Sequence, residues 1–431
     1  MKKMFYNWRE KLWVTPAIFS FFAVVLSVAM FYVDLLLVER YREFFPDILL
    51  TNVDLAKTIM GELAGALLTM TTFTFSTILV VLTMYSSQFS PRTLKNFIHD
   101  PVTWRVLGIF LGGFIYNTLS LLFMRDDLYE TDVLSAFVGI LIAFICLATF
   151  AYFIHHIATH VQVGKLLNEL EADASRVIDD YSKKQKHDME IKANWRPDGI
   201  AQTIKAQKHG YIQFLHFDKI LECAEKENLE IEILQKIGSW VHEETELFRI
   251  YRKEDIQIDT KKFVSIGQER TSSQDIDFAI QKMVEVALRA ISPGINDPNT
   301  ANGIIIRIGR LLGKMSHLKT GAIVMADGEG HPRINYHFLS YEDILYRTFH
   351  QLAHYGKADV SVIAAMLESL TIAVEASEKQ HHEVIWASQL YLLDHLEYAA
   401  LSQLDQRYLQ SKLDAIAHAA DRRPVILRQY K

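Results

Sequence analysis

Charge is missing from long stretches of this chain. Residues 63–91 carry no Asp, Glu, Lys or Arg, and three further uncharged stretches, 14–33, 106–124 and 133–154, lie around them. A helix needs about 20 mostly apolar residues to cross the hydrocarbon core of a bilayer, whereas the buried helices of soluble proteins are usually shorter and charged on one face. The absence therefore excludes an ordinary soluble fold for the first third. Four transmembrane helices are expected, at about 14–38, 60–86, 104–124 and 133–157.

Cysteine is scarce as well. Cys146, inside a span, and Cys223, beyond the spans, are the only two of the 431 residues, which excludes a disulfide framework and fits a reducing cytosol. A net charge of −6 without a concentrated basic face gives no electrostatic case for nucleic acid. The basic N-terminus (Lys2, Lys3, Arg9, Lys11) is followed by a full-length span and by no Ala-x-Ala-like cleavage site, so a removed signal peptide is not expected. There is no Gly-x-Ser-x-Gly elbow, phosphate loop or paired metal motif. No catalytic residue, cofactor or metal is assigned on this basis.

Basic residues near span ends are retained on the cytoplasmic side. The N-terminus and the loop holding Arg92, Lys95 and Arg105 are basic, while Arg125 stands beside Asp126, Asp127, Glu130 and Asp132. Both termini are expected in the cytoplasm, with the protein in the bacterial inner membrane.

Residues 1–158 are read as the membrane domain and 159–200 as a helical stalk and linker. In the stalk Leu166, Leu167, Leu170, Ala174, Val177 and Ile178 recur at helical spacing, and a polar loop around residues 194–198 closes it. Alternation in Tyr211–Leu215 and Leu229–Leu234, with Trp240-Val and Leu247–Tyr251, marks residues 201–270 as a small β-rich module. Its stretch 237–250 resembles the hairpin of lipoyl-type barrel-sandwich modules in fold alone, because no equivalent of their modified lysine is present. Residues 271–431 are expected to be mainly helical, with Asp297 capping a helix that opens on Pro298 and a short hairpin turning at Asp327-Gly328. The fold class is thus a four-helix transmembrane domain followed by a cytoplasmic α+β region with a small barrel-like module and a helical C-terminal part.

Several strings carry a resemblance. They are Ser90-Pro-Arg-Thr-Leu-Lys-Asn-Phe, a short amphipathic elbow after the second span; Phe153-Ile-His-His-Ile-Ala; Ile266-Gly-Gln-Glu-Arg-Thr with Gln274-Asp275; and Ala287-Leu-Arg-Ala-Ile-Ser-Pro-Gly-Ile-Asn-Asp-Pro-Asn-Thr-Ala. With the four spans, they make the chain resemble, over nearly its whole length, the bacterial membrane-protein family known as domain of unknown function 2254. That resemblance implies a membrane protein and brings no activity, substrate or catalytic residue with it.

Function has to be read from constellations. At a period of 3.5 residues, Glu62, Gly65, Thr69, Thr72, Ser76, Leu79, Thr83 and Ser86 fall on one stripe of the second span, polar or small everywhere except Leu79. Such a face suits either close helix packing, since small and hydroxyl residues let backbones approach, or a water-accessible path in a symmetric oligomer. In the second case Leu79 forms a narrow apolar ring, and Glu62, near the outer mouth, favours cations. Thr71, Thr74 and Thr77 sit on other faces. Asp34 is expected to reach the headgroups and be solvated.

His155, His156 and His160 gather at the inner end of span four, where interfacial anchoring or gating is preferred over a metal site because no acidic or cysteine partner accompanies them. Glu269, Arg270, Asp275 and Asp277, with Arg289, Asn296 and Asp297, read as a salt-bridged corner, a subunit contact or a gating element rather than a hydrolytic site. The resulting expectation is an oligomeric channel for ions or a small solute, with a cytoplasmic assembly or gating region. The alternative is a membrane-anchored sensor or scaffold whose cytoplasmic part binds a ligand or partner. The expected partners are the lipid bilayer, further copies of the chain, and ions or a small solute.

Overall fold

The computed structural model describes residues 13–38, 40–92, 100–125, 132–160, 162–190, 195, 197, 199–252 and 262–427. They form two compact units that divide at Leu166/Leu167. Most of the elbow and of the 194–198 loop lies outside the described residues.

The first unit holds four helices long and apolar enough to cross a membrane. Helix α1 (Val14–Val33) runs on through a π-helical turn, Asp34–Val38. Helix α2 is Val53–Gln88, α3 is Pro101–Phe123 and α4 is Ser135–His160. Helix α2 starts at Val53 rather than near 60, where Asn52 caps it by accepting the N–H of Leu55 at 2.8 Å. Its 36 residues reach about 54 Å at 1.5 Å per residue, well beyond a hydrocarbon core of about 30 Å. The overhanging first turns carry Asp54, Lys57 and Glu62. Hydropathy alone passes over such turns because they need not be apolar.

Helix α3 packs on the other three. Gly108 and Gly112 bring its backbone onto Phe19 and Ala23 of α1, where any larger side chain would collide, and Gly113 does the same against Leu67 and Cys146. Without a hydrophobic force between helices in lipid, such close approach and interhelical hydrogen bonds hold a bundle. Ser27 and Ser120 supply one of these bonds, at 3.0 Å, and the Tyr116 hydroxyl donates another to the Ser135 carbonyl, also at 3.0 Å. The α1–α2 and α3–α4 connections meet as a bridge in which Thr51 and Val133 exchange both backbone hydrogen bonds.

In the second unit α5 (Val163–Asp188) is no free stalk. Leu167, Leu170, Ala174, Val177, Ile178 and Tyr181 are buried. Its polar side meets a helix α8 (Pro298–Met315): Arg307 donates to Asn168 and Glu171, and Lys314 to Ser175 and Asp179.

The strands are β1 (Met189–Glu190), β2 (Ile200–Lys205), β3 (Gly210–Leu215), β4 (Glu230–Ile233), β5 (Trp240–Val241), β6 (Glu246–Arg252), β7 (Val264–Gly267), β8 (Ala322–Ala326) and β9 (Pro332–His337). They build a six-stranded sheet, β1-β8-β9-β4-β6-β2, and a three-stranded one, β5-β3-β7. Among the described residues the two sheets do not close on each other, so they do not form the barrel expected from the strand pattern. Nor do the strands of 201–270 stand apart: β4 pairs in parallel with β9, so the late hairpin completes the same sheet. That hairpin forms as read, turning through Asp327.

Helix α6 (Phe217–Lys226) lies between β3 and β4. The remaining helices are α7 (Ile276–Ala290), α8, α9 (Tyr341–Gly356), α10 (Val360–Ala376), α11 (His382–His395) and α12 (Gln403–Ala419). Helix α10 is the central helix of this packing, with Val362, Ile363, Met366, Leu367 and Leu370 buried in the core.

Candidate functional site

Helix α2 presents two faces that differ in both chemistry and burial. Ala56, Met60, Ala64, Leu67, Thr71, Thr74, Ile78, Val81 and Tyr85 recur every three or four residues and are buried inside the unit. Thr71 and Thr74, which diluted the stripe in the sequence, thus belong to the packed face. At 100° per residue, Glu62, Gly65, Thr69, Thr72, Ser76, Leu79, Thr83 and Ser86 lie roughly opposite. All eight are exposed on the single chain. Among the described residues of this unit, the stripe does not pack against another helix.

The hydroxyls on it are oriented by the helix. Thr69 donates to the Gly65 carbonyl at 2.9 Å, Thr72 to Leu68 at 3.0 Å and Thr83 to Leu79 at 2.9 Å. With the hydroxyl hydrogen turned back onto the backbone, each oxygen keeps acceptor capacity away from the helix. Leu68 and Phe75 flank the stripe on one side and Phe73 and Val80 on the other, all about half exposed or more.

Asp34 departs from its expected place among the headgroups. It is 2% exposed, and its carboxylate accepts the N–H of Leu134 at 2.8 Å and of Ser135 at 3.3 Å. It thereby satisfies free donors at the start of α4 from a different helix.

His155 and His156 part company. His155 is exposed, while His156 is buried with its Nε2 2.6 Å from Oδ2 of Asp100. Asp100 also caps α3, accepting from Val102 N–H and the Thr103 hydroxyl. No group of His, Cys, Asp and Glu suited to a metal is found among the described residues, and the His160 side chain lies outside them.

In the second unit the Glu-Arg…Gln-Asp string forms a buried knot. Arg270 donates to both oxygens of Asp275, at 2.6 and 3.0 Å, and to Asp277 at 2.8 Å. Arg347 of α9 adds a bond to Asp277 at 3.2 Å. Burial works against the Arg270 charge, but the hydrogen bonds and attraction of Asp275 and Asp277 outweigh it and push its pKa up. Asp275 caps α7 through Phe278 N–H. Gln274 closes on the Leu215 backbone from both ends, and Gly238, at φ +82°, presses its backbone onto the pair so closely that a methyl group there would overlap the Asp275 carboxylate.

Glu269 and Arg289 are exposed, although Glu269 lends its carbonyl to Gln213. Asn296 is exposed in the left-handed region at φ +52°, and Asp297 caps α8 with Pro298 at its first turn, as read from the sequence. The knot brings Arg270, Asp275 and Asp277 together.

The partners that sequence reading missed are Asp100, Gly238 and Arg347. Each is remote in sequence from the residue it serves. A capping position before Pro101 was the sole local hint for Asp100.

A family model described as "Predicted membrane protein (DUF2254)" matches residues 9–371. The chain belongs to this family. Similar to this DUF2254 chain are uncharacterised proteins of Mycobacterium tuberculosis and Mycobacterium bovis, 25% identical over 350 residues, which is 78% of this chain and 67% of theirs. No solved structure matches.

Proposed function

We propose that this DUF2254 protein assembles into a ring in a bacterial inner membrane, with both termini cytoplasmic, and that α2 lines a path for ions or a small solute. One observation carries the reading: the oxygen-bearing stripe from Glu62 to Thr83 is exposed, on the side of α2 away from the described helices of its own unit. A row of oxygens with outward acceptor capacity is costly to leave against lipid tails and useful against water or a cation. Leu79, exposed on the same stripe, is the place for an apolar constriction. The second unit then serves for assembly or gating.

Purified protein in a planar bilayer tests this. Unitary currents are expected, reduced by Thr72→Val and Ser76→Ala and raised by Leu79→Asn. Silence under voltage, membrane tension and pH, with these variants silent too, would overturn it.

One observation favours a second reading, a membrane-anchored sensor or scaffold. Because Thr69, Thr72 and Thr83 donate to their own helix, these hydroxyls leave no donor unmet where a neighbouring helix covers the stripe. Under that reading Thr72→Val alters assembly alone, and changes at Arg270 or Asp275 abolish partner binding.

A further inference from the structure

Strand β2 is the last strand of the six-stranded sheet, bonded to β6 on one side only. Edge strands are usually guarded by charges, proline or bulges. Across Ile200-Ala-Gln-Thr-Ile-Lys the one charge is Lys205, there is no proline, and the single irregularity in pairing with β6 falls at Ile204/Lys205. Among the described residues, 200–204 are a regular, uncharged ladder with no strand paired on the second side.

The face of that ladder is equally unguarded. Gln202 pairs with Ile250 and Ile204 with Phe248, so Ile200, Gln202 and Ile204 share the side of the sheet on which Ile250 and Phe248 are buried. Yet Ile200 is 76% exposed. The inner face of the sheet runs out from under its cover at this edge. A groove of about 500 Å³ opens beside it, with Ile204, Phe248, Val264 and Ile266 on its apolar part and Lys205, Gln207 and Lys208 at its polar part.

We propose that β2 pairs antiparallel with β2 of a second copy of this chain, about a two-fold axis through Gln202. The strand is complementary to itself in that register. Ile200 of one copy faces Ile204 of the other, Ala201 faces Thr203, and Lys205 faces Gly199. The two Lys205 side chains stand at opposite ends, six residues or about 20 Å apart at 3.3–3.4 Å per residue, so no like charges oppose one another. The inner faces of two sheets become one apolar surface, and the copies are joined in pairs. This contact does not depend on the conduction reading.

The test uses full-length protein with Cys146→Ala and Cys223→Ser. Gln202→Cys places two thiols opposite each other on the axis, and under mild oxidation it should crosslink roughly tenfold or more faster than Trp240→Cys, an exposed site on the other sheet, because paired thiols meet at high effective concentration. Mixed copies carrying Ile200→Cys and Ile204→Cys should form heterodimers. Adding Gln202→Lys, which sets two cations on the axis, should slow that reaction by a similar factor. Crosslinking of Gln202→Cys no faster than at Trp240→Cys overturns the proposal. So does a mixed reaction that Gln202→Lys leaves unchanged.

Discussion

Oδ2 of Asp100 lies 2.6 Å from Nε2 of His156, with both side chains buried, and ties the cap of α3 to the last turns of α4. At the other end of α4, Asp34 closes on the N–H groups of Leu134 and Ser135. Helix α4 is thus held at each end by a carboxylate from another helix or its cap.

The Asp100–His156 clasp is expected to behave as a coupled pair. His156→Ala leaves Asp100 buried without its partner and should cost about 3–5 kcal/mol. Asp100→Asn with His156→Ala should cost clearly less than the sum of the single changes. Unfolding in detergent, followed through a double-mutant cycle, measures this, and strictly additive losses would show that the two side chains do not interact.

The Asp34 clasp is a cap. Asp34→Ala should destabilise the membrane unit by about 1–2 kcal/mol, whereas Asn, which still offers an acceptor, should recover much of the loss. If Asn is as damaging as Ala, the carboxylate has a role beyond capping. Thermal unfolding of the three proteins in one detergent separates these outcomes.

The knot around Arg270 predicts an equivalence between distant positions. Gly238→Ala should be about as destabilising as Asp275→Ala, because its methyl would displace the carboxylate that Arg270 holds and φ +82° already disfavours a side chain. Limited proteolysis of the second unit would report both. A Gly238→Ala protein as resistant as wild type would contradict the packing described.

A pH dependence follows from Asp327. Burial pushes its carboxyl up, but Arg333 Nε, donating at 2.7 Å, and the N–H groups of His331 and Glu329 outweigh this and hold it below the usual carboxylate range. A folded pKa below the unfolded value means that the ionised form stabilises the fold. That contribution is complete above the unfolded pKa of about 4 and disappears as pH falls through the folded one. The stability gap between wild type and Asp327→Asn should therefore narrow from about pH 5 downward. A gap that widens in acid would reverse the sign.

Much of the fold was readable in advance because its causes are local. A bilayer imposes length and apolarity on each span separately, so 14–38 was found to the residue. Asp297-Pro298 and Asp327-Gly328 were readable for the same reason, since a cap or a turn is set by a few adjacent dihedral angles and donors. The stripe on α2 was legible as a periodicity, but its exposure was not. Periodicity says which residues share a face and is silent on what that face meets.

The sequence alone determined that this is a four-span membrane protein with a large mixed α+β remainder, because burial of backbone polar groups in lipid leaves a helix no alternative. Only the tertiary structure decided that Asp34 is a buried cap rather than a solvated carboxylate and that His156 turns inward to Asp100 while His155 turns out. It also decided that the strands stay open instead of closing into a barrel. Each of these depends on partners distant in the chain, Leu134 for Asp34 and β9 for β4, and contacts of that kind arise from packing that no local pattern encodes.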